Sequence, residues 1–223
     1  MLIAIFVIFW EVSAAQKTET RSLDTFRSIR VSSGIEVKLV QGERPAARIE
    51  ASGISLGEVI TEVQGNTLKI GLRSIRFDGR NDVNVQVTYK ELDRITAVAA
   101  ASVVSTAAVE TEALDLSASA AASIEVEVKA LRLSAEASTA SAIILSGAAK
   151  DVHMEATTSS SIDAYHLEAD QVTAEASTAS DIRVTVRQEI SAEASTAGTI
   201  RYKGDPARSN TTATTAGSIR KVN

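Results

Sequence analysis

The feature that most constrains this chain is a repeat of about nineteen residues in its C-terminal half. Three stretches are nearly identical: Ala135–Ser141 (AEASTAS), Ala174–Ser180 (AEASTAS) and Ala192–Gly198 (AEASTAG). Ala118–Ser123, Glu155–Ser161 and Thr212–Ser218 are weaker copies. An aliphatic residue closes each unit: Val104, Ile124, Ile143, Ile162, Ile182, Ile200 and Ile219, at intervals of 20, 19, 19, 20, 18 and 19. A unit this short cannot bury its own apolar face, so it must stack on its copies.

Aligned on the closing residue, the copies form columns. Ten positions earlier stand Leu114, Leu133, Val152, Val172 and Ile190, and eight earlier Leu116, Ala135, Met154, Ala174 and Ala192. Six earlier every copy from the second onward carries alanine: Ala118, Ala137, Ala156, Ala176, Ala194 and Ala213. Alternate positions therefore face inward on a strand. A second strand follows, as in Ile124-x-Val126-x-Val128 and Ile182-x-Val184-x-Val186. The Ser-Thr-Ala-Ser/Gly corner between strands is too polar and small-sided for a helix interior.

The predicted fold is all-β: a parallel β-helix, or solenoid, of about seven coils stacked ~4.8 Å apart into a rod of roughly 34 Å. The alanine column implies a thin cross-section, and crossover chirality favours right-handed coiling. Residues 95–221 are the solenoid repeats. Residues 25–94 lack the repeat but alternate strongly, in Ile29-x-Val31, Ile35-x-Val37-x-Leu39, Val59-x-Thr61-x-Val63 and Val83-x-Val85-x-Val87. Turns are expected at Gln41-Gly42, Gly53, Gly65-Asn66 and Asp78-Gly79, with a hairpin about Gly65-Asn66. This part reads as an irregular β cap over the first coil, where a bare end would invite edge pairing. Together, residues 25–223 are expected to form one domain.

Leu2–Trp10 is an apolar run of nine residues, too short to span a bilayer, which needs ~20. Ser13 and Ala15 supply the small residues of a cleavage site, so residues 1–15 read as a secretory signal peptide, although no Lys or Arg precedes the run. Residues 16–24 are then a linker. Removing 1–15 takes the formal charge from −5 to −4, since Glu11 is the only charge lost. An acidic chain is a poor phosphate binder, which argues against nucleic acid. Cysteine is absent, so disulfides, thiolate metal sites and lipid attachment at a cysteine are excluded.

The segment Phe26-x-x-Ile29-x-Val31-x-x-Gly34-Ile35-x-Val37-x-Leu39-x-Gln41-Gly42, with Gly65-Asn66-Thr67-Leu68-x-Ile70, resembles the opening of the putative auto-transporter adhesin, head GIN domain family. The A-x-A-S-x-A-S coils resemble that family's repeats, so the likeness covers nearly all of Phe26 to Asn223. It implies a β-helical bacterial envelope domain, periplasmic or at the cell surface, and no catalytic motif.

Seven positions before the closing residue stand Glu136, Glu155, Glu175 and Glu193, an outward ladder expected to splay into solvent. Its alternative role is a cation site, for which calcium would want carbonyls and bidentate geometry. Arg183, Arg201 and Arg220 follow the last three isoleucines, where earlier coils carry Glu125, Ile144 and Asp163. They are candidates for an anion-binding face, against the alternative of a solvated face that discourages lateral association. Asp163 and Arg183 are expected to pair. Thr139, Thr158, Thr178, Thr196 and Thr215 form a corner column read as hydroxyls bonding along the stack, with ice binding the weaker alternative. His166 falls on an inward position and His153 on an outward one; their spacing fits no zinc motif.

No cofactor or metal is implied. The leading expectation is a non-enzymatic adhesin or envelope scaffold binding a glycan, protein or other envelope partner, with end-to-end self-association open. A polysaccharide-acting enzyme is the alternative, but that would need convergent acids and bases in a groove, usually with aromatics for sugar stacking. Phe26, Phe77, Tyr89, Tyr165 and Tyr202 are scattered.

Overall fold

The computed structural model describes residues 17–74 and 82–223. The leader-like segment and the Asp78-Gly79 turn lie outside them. Alternation of apolar and polar residues in the repeats forms long strands that bend around one side of each coil: β10 (Val109–Ser119), β11 (Ser123–Ser138), β12 (Ala142–Thr157), β13 (Ser161–Ala176) and β14 (Asp181–Ala194). Each pairs in parallel with the next, matching residues about nineteen apart, as in Ile124↔Ile143↔Ile162↔Ile182 and Ala137↔Ala156↔Ala176↔Ala194. The chain is a parallel β-solenoid. Two walls face each other across one core, and they can be named for their inward columns as the isoleucine wall and the alanine wall.

The isoleucine column runs further than the repeat. It passes from Ile124 to Val103 on β9 (Ser102–Ser105) and to Val37 on β3 (Glu36–Gln41). From there it continues to Val85 on β7 (Asp82–Tyr89) and Ile49 on β4 (Ala46–Ser52). Val103 is fully buried, whereas Val104, expected to close its coil, faces outward opposite Glu125. Alternation cannot choose between two adjacent valines; the register with β11 does.

The other wall continues through β8 (Arg94–Val98), β2 (Ser28–Val31) and β6 (Thr67–Leu72) to β5 (Val59–Gln64). The coil made by β2 and β3 is thus sandwiched between β6–β7 on one side and β8–β9 on the other, out of chain order. Beyond it the pairing turns antiparallel, β4 against β7 and β5 against β6 through the expected hairpin, where Gly65 supplies φ +61°. Residues 17–22, expected within a linker, are strand β1 (Lys17–Ser22) on the edge of β4. The segment Lys-Thr-Glu-Thr-Arg-Ser carries no apolar alternation, so only its partner edge specifies it as a strand. At the opposite end β15 (Thr199–Lys203), β16 (Arg208–Ala213) and β17 (Ser218–Lys221) complete the stack, and Ser209 and Thr211 replace aliphatic residues in the inward columns.

The Thr-Ala corners are held by backbone. Thr139, Thr158, Thr178, Thr196 and Thr215 lie at φ +45° to +54°, and the residue after each at +59° to +62°. Two successive left-handed residues are the mark of a type I′ turn. The N–H of the second residue donates to the carbonyl of the first residue in the next coil, from Ala121→Thr139 to Ala197→Thr215, each near 3.0–3.1 Å. The hydroxyl bonding expected of these threonines is made instead two positions further on, where buried Ser141, Ser160 and Ser180 donate Oγ–H to the carbonyls of Ala118, Ala137 and Ala156 at 2.7–2.8 Å. L-residues in the left-handed region cost about 1–2 kcal/mol each. Ala140→Gly, which lowers stability in an ordinary strand, is therefore expected to raise it here by up to about 1 kcal/mol, read as an increased urea midpoint.

A bulge in β13 relocates His166. The pairing with β12 shifts between Ile144 and Ser146, so Ala164 and then Leu167 face inward, with Tyr165 and His166 both outside. His166, expected inside by alternation from Ile162, is exposed, because one extra residue inverts parity beyond it.

Candidate functional site

In the alanine wall, the column Leu133, Val152, Val172 and Ile190 is buried, so the residues on either side of it face outward as two rows. One row runs Arg132, Asp151, Gln171, Glu189 along successive coils; the other runs Asp115, Ser134, His153, Thr173, Ser191. Neighbours within a row are ~4.8 Å apart and the rows ~7 Å apart. Between them lies a groove of about 500 Å³ parallel to the stack, within the range of small-ligand sites. It crosses five coils, a length of about 19 Å.

Ion pairs hold three of its lining side chains. Asp115 pairs with Arg94 (2.9 Å), Arg132 with Glu112 (3.1 Å) and Glu189 with Arg208 (3.0 Å). The Asp115 carboxylate, accepting a hydrogen bond, raises Arg94 further above its ordinary value. Asp151 is the one lining charge without an ion-pair partner among the described residues, and it faces the groove beside His153 and Gln171.

Two residues beyond the second row stands the expected glutamate ladder. Glu136, Glu155, Glu175 and Glu193 are in register on adjacent strands and exposed, with no ion pair among the described residues. No cluster of three or more His, Asp or Glu among the described residues is placed to hold a metal ion.

On the isoleucine wall, Arg183, Arg201 and Arg220 are in register as expected. Two of them are engaged: Arg183 bridges Asp163 (3.2 Å) and Asp181 (2.9 Å), and Arg201 reaches Asp181 (2.7 Å). Asp181 foremost pushes the Arg183 guanidinium above its ordinary value. The expected Asp163–Arg183 pair is thus part of a longer ladder, and beside it Lys203 Nζ lies 4.4 Å from the Tyr165 ring centroid. Arg220 is exposed and has no ion pair among the described residues.

Sequence reasoning passed over the row Arg132, Asp151, Gln171, Glu189. Its signal was available: the position just before an always-aliphatic column carries a different polar group in each of these coils.

Residues 25–206 match the family described as putative auto-transporter adhesin, head GIN domain. The chain belongs to the head GIN domain family. A putative adhesin from Bacteroides fragilis is 18% identical with TM-score 0.85, over 94% of this chain and 98% of that one. A putative adhesin from Parabacteroides merdae is 20% identical with TM-score 0.77, over 95% and 98%. A putative lipid binding protein from Parabacteroides distasonis is 18% identical with TM-score 0.71, over 95% and 98%. At these identities the likeness establishes a shared fold. No curated protein matches in sequence.

Proposed function

We propose that this head GIN domain is a non-enzymatic recognition module, exported into the bacterial envelope and displayed at the cell surface as an adhesin. The observation that carries this reading is the groove: chemically varied outward side chains presented on coils stacked in register. Its rows are set by backbone register, which supplies the rigid platform that recognition needs. The closure of Asp115, Arg132 and Glu189 in ion pairs supports binding over catalysis, since a general acid or base must keep its proton-carrying atoms for substrate. Export is supported by the apolar run Leu2–Trp10 with small residues at Ser13 and Ala15. No helix among the described residues is long and apolar enough to cross a membrane.

Protease shaving of intact cells, with a periplasmic marker as control, tests the display. The protein is expected to be cleaved while the marker stays whole. Protection until the outer membrane is opened would move the module to the periplasm and end the adhesin reading.

A further inference from the structure

The groove in the alanine wall has a chemistry that selects its occupant. Its shape suits an extended chain lying along the stack, because the two rows run across five coils. An extended peptide normally gains affinity by adding a strand to a sheet edge. Here β11 to β14 are paired on both sides across the floor and β10 is paired with β8 from Asp115 onward, so a chain lying along the groove crosses the strands and meets no free backbone edge. An acyl chain needs hydrocarbon walls, yet Leu133, Val152 and Val172 point into the core at 2–4% exposure. A polyphosphate or sulfated polymer would meet Asp115, Asp151 and Glu189. A polycation would meet Arg132 and the ion-paired Arg94 and Arg208.

What the middle of the groove does present is hydrogen-bonding capacity around a single charge unpaired among the described residues, Asp151. Asp151 accepts, Gln171 and His153 both donate and accept, and Ser134, Thr173 and Ser191 contribute hydroxyls. Such a set matches vicinal hydroxyls, which themselves donate and accept. We propose that this groove binds a neutral, linear glycan, with Asp151, His153 and Gln171 at its centre. The inference rests on the recognition reading above and names the ligand class of that same site.

The test is titration calorimetry of the purified protein with neutral linear hexasaccharides of β-1,4-glucose, α-1,4-glucose, β-1,3-glucose, β-1,4-mannose and β-1,4-N-acetylglucosamine. Hexagalacturonate serves as the acidic control. At least one neutral chain is expected to bind with Kd below about 1 mM. Asp151→Ala and Gln171→Ala are each expected to weaken it about tenfold, the loss of a hydrogen bond to an ionised or amide group. Thr173→Trp, which fills the mid-groove, should abolish it, and Arg220→Ala on the other wall should leave it unchanged. All four residues are at the surface, and an unchanged urea midpoint confirms the fold of each variant. The proposal falls if no neutral chain binds, if only hexagalacturonate binds, or if the groove variants bind like the parent. Cell shaving is independent: protein protected in intact cells but binding glycan keeps the groove and loses the surface reading, and the reverse loses only the groove.

Discussion

Gly147→Ala is expected to lower unfolding stability by about 3 kcal/mol, far more than a surface methyl group ordinarily does. Gly147 lies on β12 at φ +100°, beyond the left-handed well that L-residues can enter. A Cβ there would sit 2.2 Å from the carbonyl oxygen of Val128 and 3.1 Å from its carbon and nitrogen. Val128 is the residue directly above in the stack, with Leu167 directly below, and both are fully buried. The methyl can be admitted only by prising one coil from the next. In a stack where each coil contacts only its neighbours, stability is a sum of coil and interface terms. A damaged β11–β12 interface therefore weakens the coupling of everything beyond it. The expected signature is a urea transition that moves to lower denaturant and loses slope or splits. Gly57→Ala is the control: its nearest added contact is 3.8 Å, and it should shift the midpoint by less than about 0.5 kcal/mol. A midpoint for Gly147→Ala equal to that control would show the carbonyl contact to be easily relieved.

The contrast between Gly147 and the inward columns marks what a sequence of this kind discloses. Columns such as Ile124–Ile143–Ile162–Ile182 are legible because burial at a fixed period leaves the same side chain at the same spacing. The register they predict is the one observed, and it carries the glutamate and arginine rows with it. Features set by backbone geometry leave a weaker trace. The left-handed Thr-Ala corners use residues with no propensity for that conformation, so nothing in Thr139-Ala140 announces it. The β13 bulge announces itself only as a twenty-residue interval between Ile162 and Ile182, which does not say where the extra residue sits, and so His166 was placed inside. The groove was missed for a different reason. Its residues are legible one by one, but concavity belongs to the path of the wall rather than to any side chain. Strand β1 was missed because Lys17–Ser22 contains no apolar residue at all.

That same strand supplies the other large expected effect. Arg21→Ala should loosen the N-terminal cap by about 2–4 kcal/mol while the repeat coils are untouched. Arg21 extends from β1, the outermost strand of the isoleucine wall, to β5, the outermost strand of the alanine wall. Its Nη1 donates to Val59 O (2.7 Å) and Thr61 Oγ1 (2.9 Å), and its Nη2 to Leu56 O (2.9 Å). Nε and Nη2 complete the set on the two Glu19 carboxylate oxygens, at 3.1 and 3.0 Å. All five guanidinium donors are thus engaged, a geometry that lysine cannot reproduce. The bond from Arg21 holds the Glu19 carboxyl below its ordinary value. A depressed carboxyl contributes stability above its unfolded pKa and loses it as pH falls through the folded one. The Glu19 contribution should therefore be full above the ordinary carboxylate range, erode as pH falls through it and be gone in stronger acid, leaving the three bonds to β5 and its neighbours intact. Hydrogen exchange distinguishes the outcomes. With alanine at this position, amides of β1, β4 and β5 should exchange faster, those of β12 to β14 should not change, and Arg21→Lys should fall between parent and alanine. Unchanged protection in β1 and β5 would mean that strand pairing alone closes the end. Two unpaired edges would then lie open to other chains with only charge to guard them.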